Sequence, residues 1–338
     1  MLKKILIFLI SIELVLFVFQ IWIVPVPVLS VTGEVKQTLH MDMEDFAEFD
    51  CAVVRLNEVS KDGRFHGVFC YSGPTLRELL DSAGIEKLKP EFNKHVDLAI
   101  VVRNKSGDEI VLSWGEIFYR NPADVIIALE AAPVIPHHDR AHIPEVYWSW
   151  LDQLNRKVGM PRLVIANDFY TDRSLEDIVE IKVVDLHPKV DKKVMNILFS
   201  PEFTVSGNVE HPLDIDTLSS CQHKEVLYKE VGDGQGYHGL ELAGGVPFVD
   251  ILRKAGIRED LCSAVIVSAP DGYRALLSYG ELFMAPSGRN VMIADMKAKR
   301  PVKKGGRFFM VIPDDLSADR NVKAIEKIEV INLQRYKS

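Results

Sequence analysis

Two distant stretches of this chain follow one plan, and that plan constrains the fold more than any other feature. Ser268-Ala269-Pro270-Asp271-Gly272-Tyr273-Arg274-Ala275-Leu276-Leu277-Ser278 reads as a strand, an Asp-Gly turn and a second strand, and Tyr279-Gly280-Glu281-Leu282-Phe283 opens a helix. Val102 to Leu112 has the same order around Ser106-Gly107-Asp108, and continues as Ser113-Trp114-Gly115-Glu116-Ile117-Phe118. Both therefore end in Ser, an aromatic residue, Gly, Glu, an aliphatic residue and Phe. A match of this kind makes the chain a duplication, and the functional question becomes what each copy has kept.

Further pairs extend the repeat. Val31-Thr32-Gly33-Glu34-Val35 matches Val205-Ser206-Gly207-Asn208-Val209, and the segments Met41 to Phe46 and Leu213 to Leu218 read as short acidic helical turns. Val53 to Val59 alternates as a strand, and Glu225 to Val231 repeats it. Phe65-His66-Gly67-Val68 leads into Gly73 to Ile85, and Tyr237-His238-Gly239-Leu240 into Gly245 to Ile257, stretches that read as helices ending in Ala-Gly-Ile. Each of these helices has Leu or Ile at helical spacing and a glycine at its C-cap. Val125-Ile126-Ile127-Ala128 and Val291-Met292-Ile293-Ala294 are buried strands by their apolar run. Short strands with few helices predict an α+β body rather than regularly alternating βαβ units. The expected division is a first domain over 26–187 with an insertion at 133–159, a linker over 188–202, and a second domain over 203–338.

At 338 residues each copy is large enough to bury its own core. A net charge of −8 without a clustered basic face excludes a nucleic-acid surface. Lys3-Lys4 precedes Ile5 to Val24, an apolar run of about twenty residues, long enough to cross a bilayer, and Pro25 and Pro27 end it. The expectation is an uncleaved anchor over 1–25 with the body on the extracytoplasmic, periplasmic side; a cleaved signal peptide is the alternative. Glu13 in that run is either a snorkelling carboxyl or a contact to a membrane partner. Cys51, Cys70, Cys221 and Cys262 show no metal-ligand spacing. Dinucleotide, P-loop, zinc-protease and serine-hydrolase signatures are absent from the sequence.

The order Tyr237-His238-Gly239, Asp250-Ile251-Leu252, Ser268 to Tyr273, Val291 to Ala294, Pro313 and Val322-Lys323-Ala324-Ile325 resembles the oxidoreductase molybdopterin-binding domain, the central fold of the sulfite oxidase family. The resemblance covers the second copy nearly end to end and the first more loosely. It implies a pyranopterin cofactor carrying molybdenum, the metal held by a cysteine thiolate, with an arginine in a G-x-P-x-R strand and a lysine in a V-K pair at the cofactor's polar end. The thiolate's place falls at Glu58 to Lys61 and Glu230 to Asp233, where no cysteine stands; Cys51 or Cys70 would serve only with a shifted register. The first copy has Gly159-Met160-Pro161-Arg162, one residue short, and Asp177 near the lysine's place. The second has Lys323, but Phe309 in place of the arginine. The resemblance thus implies His66, Arg162, His238, Asp271, Tyr273 and Lys323 as cofactor-binding candidates.

Two readings of these residues stay open. His66 and His238 are imidazole donors to a ligand or turn residues, and Asp271-Gly272 is a contact or a hairpin. In the insertion, His137, His138 and His142 could bind zinc or copper, or belong to an interaction loop with Tyr147, Trp148 and Trp150. The function expected is a membrane-anchored ligand- or partner-binding module with two tandem molybdopterin-binding-type domains, lacking the metal-ligating cysteine and facing a membrane or redox partner. The alternative is a molybdopterin-dependent oxidoreductase of the sulfite oxidase family with an altered site.

Overall fold

The computed structural model describes residues 28–134, 156–190, 192–219, 221–232, 236–302 and 305–335. Its first half contains β1 (Leu29–Gly33), β2 (Leu39–Met41), β3 (Ala52–Val59), β4 (Phe65–Gly73), β5 (Leu98–Asn104), β6 (Glu109–Ser113), β7 (Val125–Ala128), β8 (Glu130–Pro133), β9 (Arg162–Ile165) and β10 (Ile178–Asp185). The second half contains β11 (Phe203–Gly207), β12 (Leu213–Ile215), β13 (Lys224–Gly232), β14 (Gly236–Pro247), β15 (Ser263–Ser268), β16 (Arg274–Ser278), β17 (Met292–Lys297), β18 (Arg300–Pro301), β19 (Phe309–Val311) and β20 (Lys327–Asn332). Among the described residues four α-helices interrupt them: α1 (Leu76–Ala83), α2 (Trp114–Phe118), α3 (Phe248–Lys254) and α4 (Tyr279–Phe283).

The α+β expectation is corrected here, because the protein is mostly β, with 43% of the described residues in strands and 16% helical. The helical spacing is real but brief: the four helices span five to eight residues each. Of the two acidic segments expected as helical turns, the first does turn, leaving β2 at Met41 and entering a single helical turn over Asp45–Glu48, whereas the second contributes β12, which pairs antiparallel with β11. Two or three apolar residues at helical spacing do not suffice against a neighbouring strand that satisfies every backbone group.

The duplication is written in the sheets. One five-stranded sheet has the order β2-β1-β10-β5-β6 and the other β12-β11-β20-β15-β16. In each, the first strand of the repeat lies parallel to the last, with Val31 opposite Ile181 and Val205 opposite Ile328. Alternate residues of the middle strands face opposite ways. Leu98, Ile100 and Val102 enter the core of the first repeat, and Val265 and Val267 that of the second. Their neighbours Ala99, Val101, Ala264 and Ile266 share a third apolar layer with Val111, Leu276 and Ile331. The two sheets therefore pack face to face, and β5 and β15 are buried on both sides. That double burial is why both strands read as continuous apolar runs.

The membrane expectation is corrected as well. Among the described residues no helix is long and apolar enough to cross a membrane. The segment 1–25 lies outside the described residues, so the transmembrane anchor and the periplasmic placement built on it have no support in the structure.

Candidate functional site

The most repeated motif of the sequence forms a clasp between the repeats. Ser113 and Ser278 cap α2 and α4, each in a reciprocal capping box with Glu116 or Glu281. The clasp then crosses over: Ser278 Oγ donates to Glu116 at 2.7 Å, and Ser113 Oγ donates to Glu281. Arg173 of the first repeat donates to Glu116 at 2.9 Å and to Asp168 at 2.7 Å, and Arg320 of the second reaches Glu281 and Asp315, both at 2.7 Å. Both guanidiniums are fully buried. Glycine is required at positions 115 and 280, because a Cβ there would overlap the side chain of Arg320 or Arg173, respectively. Arg173 and Arg320, with their aspartates Asp168 and Asp315, and the Ser-aromatic-Gly-Glu motif are thus two halves of one pseudo-symmetric junction.

The candidate site lies elsewhere, in a cavity of about 610 Å³ in the second repeat, a size suited to a small organic ligand. His238, Asp271, Tyr273 and Lys323 all line it. His238 stands in β14, packed over Gly232, where an added Cβ would come 2.8 Å from its Nε2. Asp271 and Gly272 form the turn between β15 and β16; the Tyr273 amide donates to the Asp271 carboxylate at 2.9 Å, and Gly272 takes a φ of 90°. Tyr273 is held from two sides, by its hydroxyl on the Asp319 carbonyl and by an edge contact with Phe92 at 5.4 Å. Lys323 is exposed and makes no salt bridge among the described residues.

Tyr228, Phe309 and Val302 give the rest of the wall an apolar side, and Glu230, Lys297 and Asp319 a polar one. Phe309 and Glu230 stand at the arginine's and thiolate's places noted in the sequence; Tyr228, Val302, Lys297 and Asp319 are not among the sequence candidates. Lys297 pairs with Glu230 at 2.8 Å. That contact draws the Glu230 carboxyl below the usual range against the opposing effect of burial, and raises the lysine despite its own burial. Asp319 accepts from Ser317 and Tyr119, each at 2.9 Å, and from Lys94 at 2.8 Å. Burial pushes its carboxyl up, but these donors together hold it below the ordinary aspartate range. Their signal in sequence is slight, since lone lysines and tyrosines recur throughout the chain.

In the first repeat the corresponding ground is filled by protein. Arg162 begins β9 as Phe309 begins β19, and Glu176 precedes a residue of positive φ (Asp177, 53°) as Lys323 does (Ala324, 52°). Glu176, rather than Asp177, therefore occupies the lysine's place. Arg162 is buried against Glu58 at 2.7 Å and Glu176 at 3.6 Å, with Tyr71 and Arg156 closing the cluster. Burial raises the Glu58 carboxyl, and the Arg162 charge, the Tyr71 hydroxyl and Arg156 together outweigh it, so the group titrates low. His66 lies in β4 with its Nε2 3.1 Å from Ser60 Oγ. His137, His138 and His142 lie outside the described residues, among which no group of His, Cys, Asp and Glu could hold a metal.

A thiolate-held metal does not fit the cavity. None of the four cysteines lines it. Cys51 is exposed before β3, Cys70 pairs with Ala132 in the first repeat, Cys221 packs on the second core, and Cys262 Sγ sits 2.9 Å from the Glu109 carbonyl between the sheets. The lining does suit an anionic organic group: aromatic faces, an available lysine, and carboxylate acceptors for ring N–H donors.

No protein-family model matches this chain, and no curated protein matches it. Among solved structures it is similar to the sulfane dehydrogenase SoxCD from Paracoccus pantotrophus, at 12% identity over 74% of this chain and 77% of that one, with a TM-score of 0.33.

Proposed function

We propose that the second repeat binds a small anionic ligand with a flat heteroaromatic body, of the pterin phosphate type, and that the chain is a ligand-binding module rather than a thiolate–molybdenum oxidoreductase. One observation supports this most directly. His238, Asp271, Tyr273 and Lys323, separated by up to 85 positions in sequence, line one cavity, while the matching region of the first repeat is occupied by the Glu58–Arg162 pair. Lys323 supplies the point charge for a phosphate, and Tyr228, Phe309 and Tyr273 offer faces to a ring. Calorimetric titration with a pterin phosphate ester should show one site per chain, and Lys323→Met should weaken it by roughly tenfold or more, the scale of a charge-assisted hydrogen bond. Stoichiometric molybdenum in the purified native protein would overturn the non-catalytic reading in favour of the oxidoreductase.

A further inference from the structure

The cavity belongs to the second repeat, yet part of its wall is held from the first. Asp319 lines it, and two of the side chains that bond its carboxylate, Lys94 and Tyr119, come from the other repeat. Lys94 Nζ lies 2.8 Å from Asp319, with the lysine side chain 38% and the aspartate side chain 14% exposed. The lysine also stands over the Tyr273 ring, 5.7 Å from its centroid. The pseudo-symmetry of the chain makes this arrangement informative, because at these positions it is broken.

Lys94 stands four residues before Leu98, the first of β5, and Glu259 stands four before Ser263, the first of β15. Tyr119 caps the C-terminus of α2, and Met284 caps that of α4. Asp172 and Asp319 are the middle residues of matching single turns, Thr171–Arg173 and Ala318–Arg320. The open cavity therefore receives a cation and a hydroxyl from the opposite repeat. The filled region receives a carboxylate, Glu259, which pairs with Lys61, while Asp172 takes the Lys61 amide at 2.9 Å. The cation is delivered to the repeat that has a cavity.

Resting on the cavity reading above, we infer that Lys94 and Tyr119 are positioning residues of a site shared between the repeats. They fix Asp319 and neutralise it, so that an anion can enter a wall that also carries Glu230 and Asp271. Glu230 is already matched by Lys297. With Asp319 matched by Lys94, Lys323 is left to the ligand. Without Lys94 the wall gains an uncompensated carboxylate, which repels an anion through a short, partly desolvated distance.

Calorimetry with a pterin phosphate ester tests this in the full chain. Lys94→Met should weaken binding about two- to fivefold, the range of a partly exposed charge pair, and the difference should shrink at high ionic strength. Lys94→Arg, which keeps the charge, should bind like the wild type. Lys94→Met combined with Asp319→Asn should recover most of the affinity, a rescue that a merely structural role would not produce. Wild-type affinity in Lys94→Met beside weakened Lys323→Met overturns the inter-repeat role and leaves the cavity reading standing. Undiminished binding in Lys323→Met, or no binding by the wild type, overturns the cavity reading and this inference with it.

Discussion

Glu58 and Glu230 hold the same place in their repeats, each beside a register shift in the hairpin strand, and they meet different partners. Glu230 meets a half-exposed lysine at a cavity wall. Glu58 meets buried Arg162, so its environment is fully committed inside the protein. Because the folded pKa of Glu58 is depressed, the unfolded chain binds the proton first as pH falls. The stability this group contributes is complete above the unfolded glutamate value of about 4.3 and is lost as pH drops through the lower folded value. Thermal midpoints measured from about pH 7 to about pH 3 should therefore fall more steeply in the wild type than in Glu58→Gln. Parallel curves would show that Glu58 is not the titrating partner. At this scale the sequence was partly legible. His238, Asp271, Tyr273 and Lys323 could be singled out from their motifs, whereas Asp319, Lys94 and Tyr119 could not, because their chemistry comes only from one another.

Among the elements, α2 and α4 are too short to be stable as isolated helices. Capping boxes and the crossed serines hold them, and each presents a bare glycine to the opposite arginine. Gly280→Ala should force a methyl into the Arg173 side chain at a site with no solvent to yield into. A loss of about 1–3 kcal/mol in urea denaturation is expected, as for other overpacked interiors. A change within about 0.5 kcal/mol, typical of a surface substitution, would sink this account of the glycine. The motif was visible in the sequence, but its purpose was not. Ser, Gly and Glu at this spacing announce a helix start, and nothing local says that the serine and glycine will meet an arginine from the other half of the chain.

For the whole molecule, the shared apolar layer and the double arginine clasp leave little for either repeat to do alone. Removing one repeat would expose Ala264, Ile266 and Leu276, or Ala99, Val101 and Val111, and take from the remaining buried glutamate the serine hydroxyl that crosses to it. The chain should accordingly unfold in one calorimetric transition, with matching van't Hoff and calorimetric enthalpies. Two resolved transitions would mean that the repeats are stable separately.

The duplication, the order of strands within each copy and the alternation that buries them are properties of the sequence, because they depend on periodicity and on neighbours a few residues apart. The balance between helix and strand, and the division of labour between the copies, are not. Short amphipathic stretches become strands when a partner strand satisfies their backbone, and that partner lies far along the chain. One repeat keeps a cavity and the other fills it: Arg162 pairs with Glu58 where Phe309 lines the cavity, and Lys94 reaches across to Asp319 where Glu259 pairs with Lys61. Charges separated by up to 225 positions decide that outcome, and only the folded chain brings them to contact.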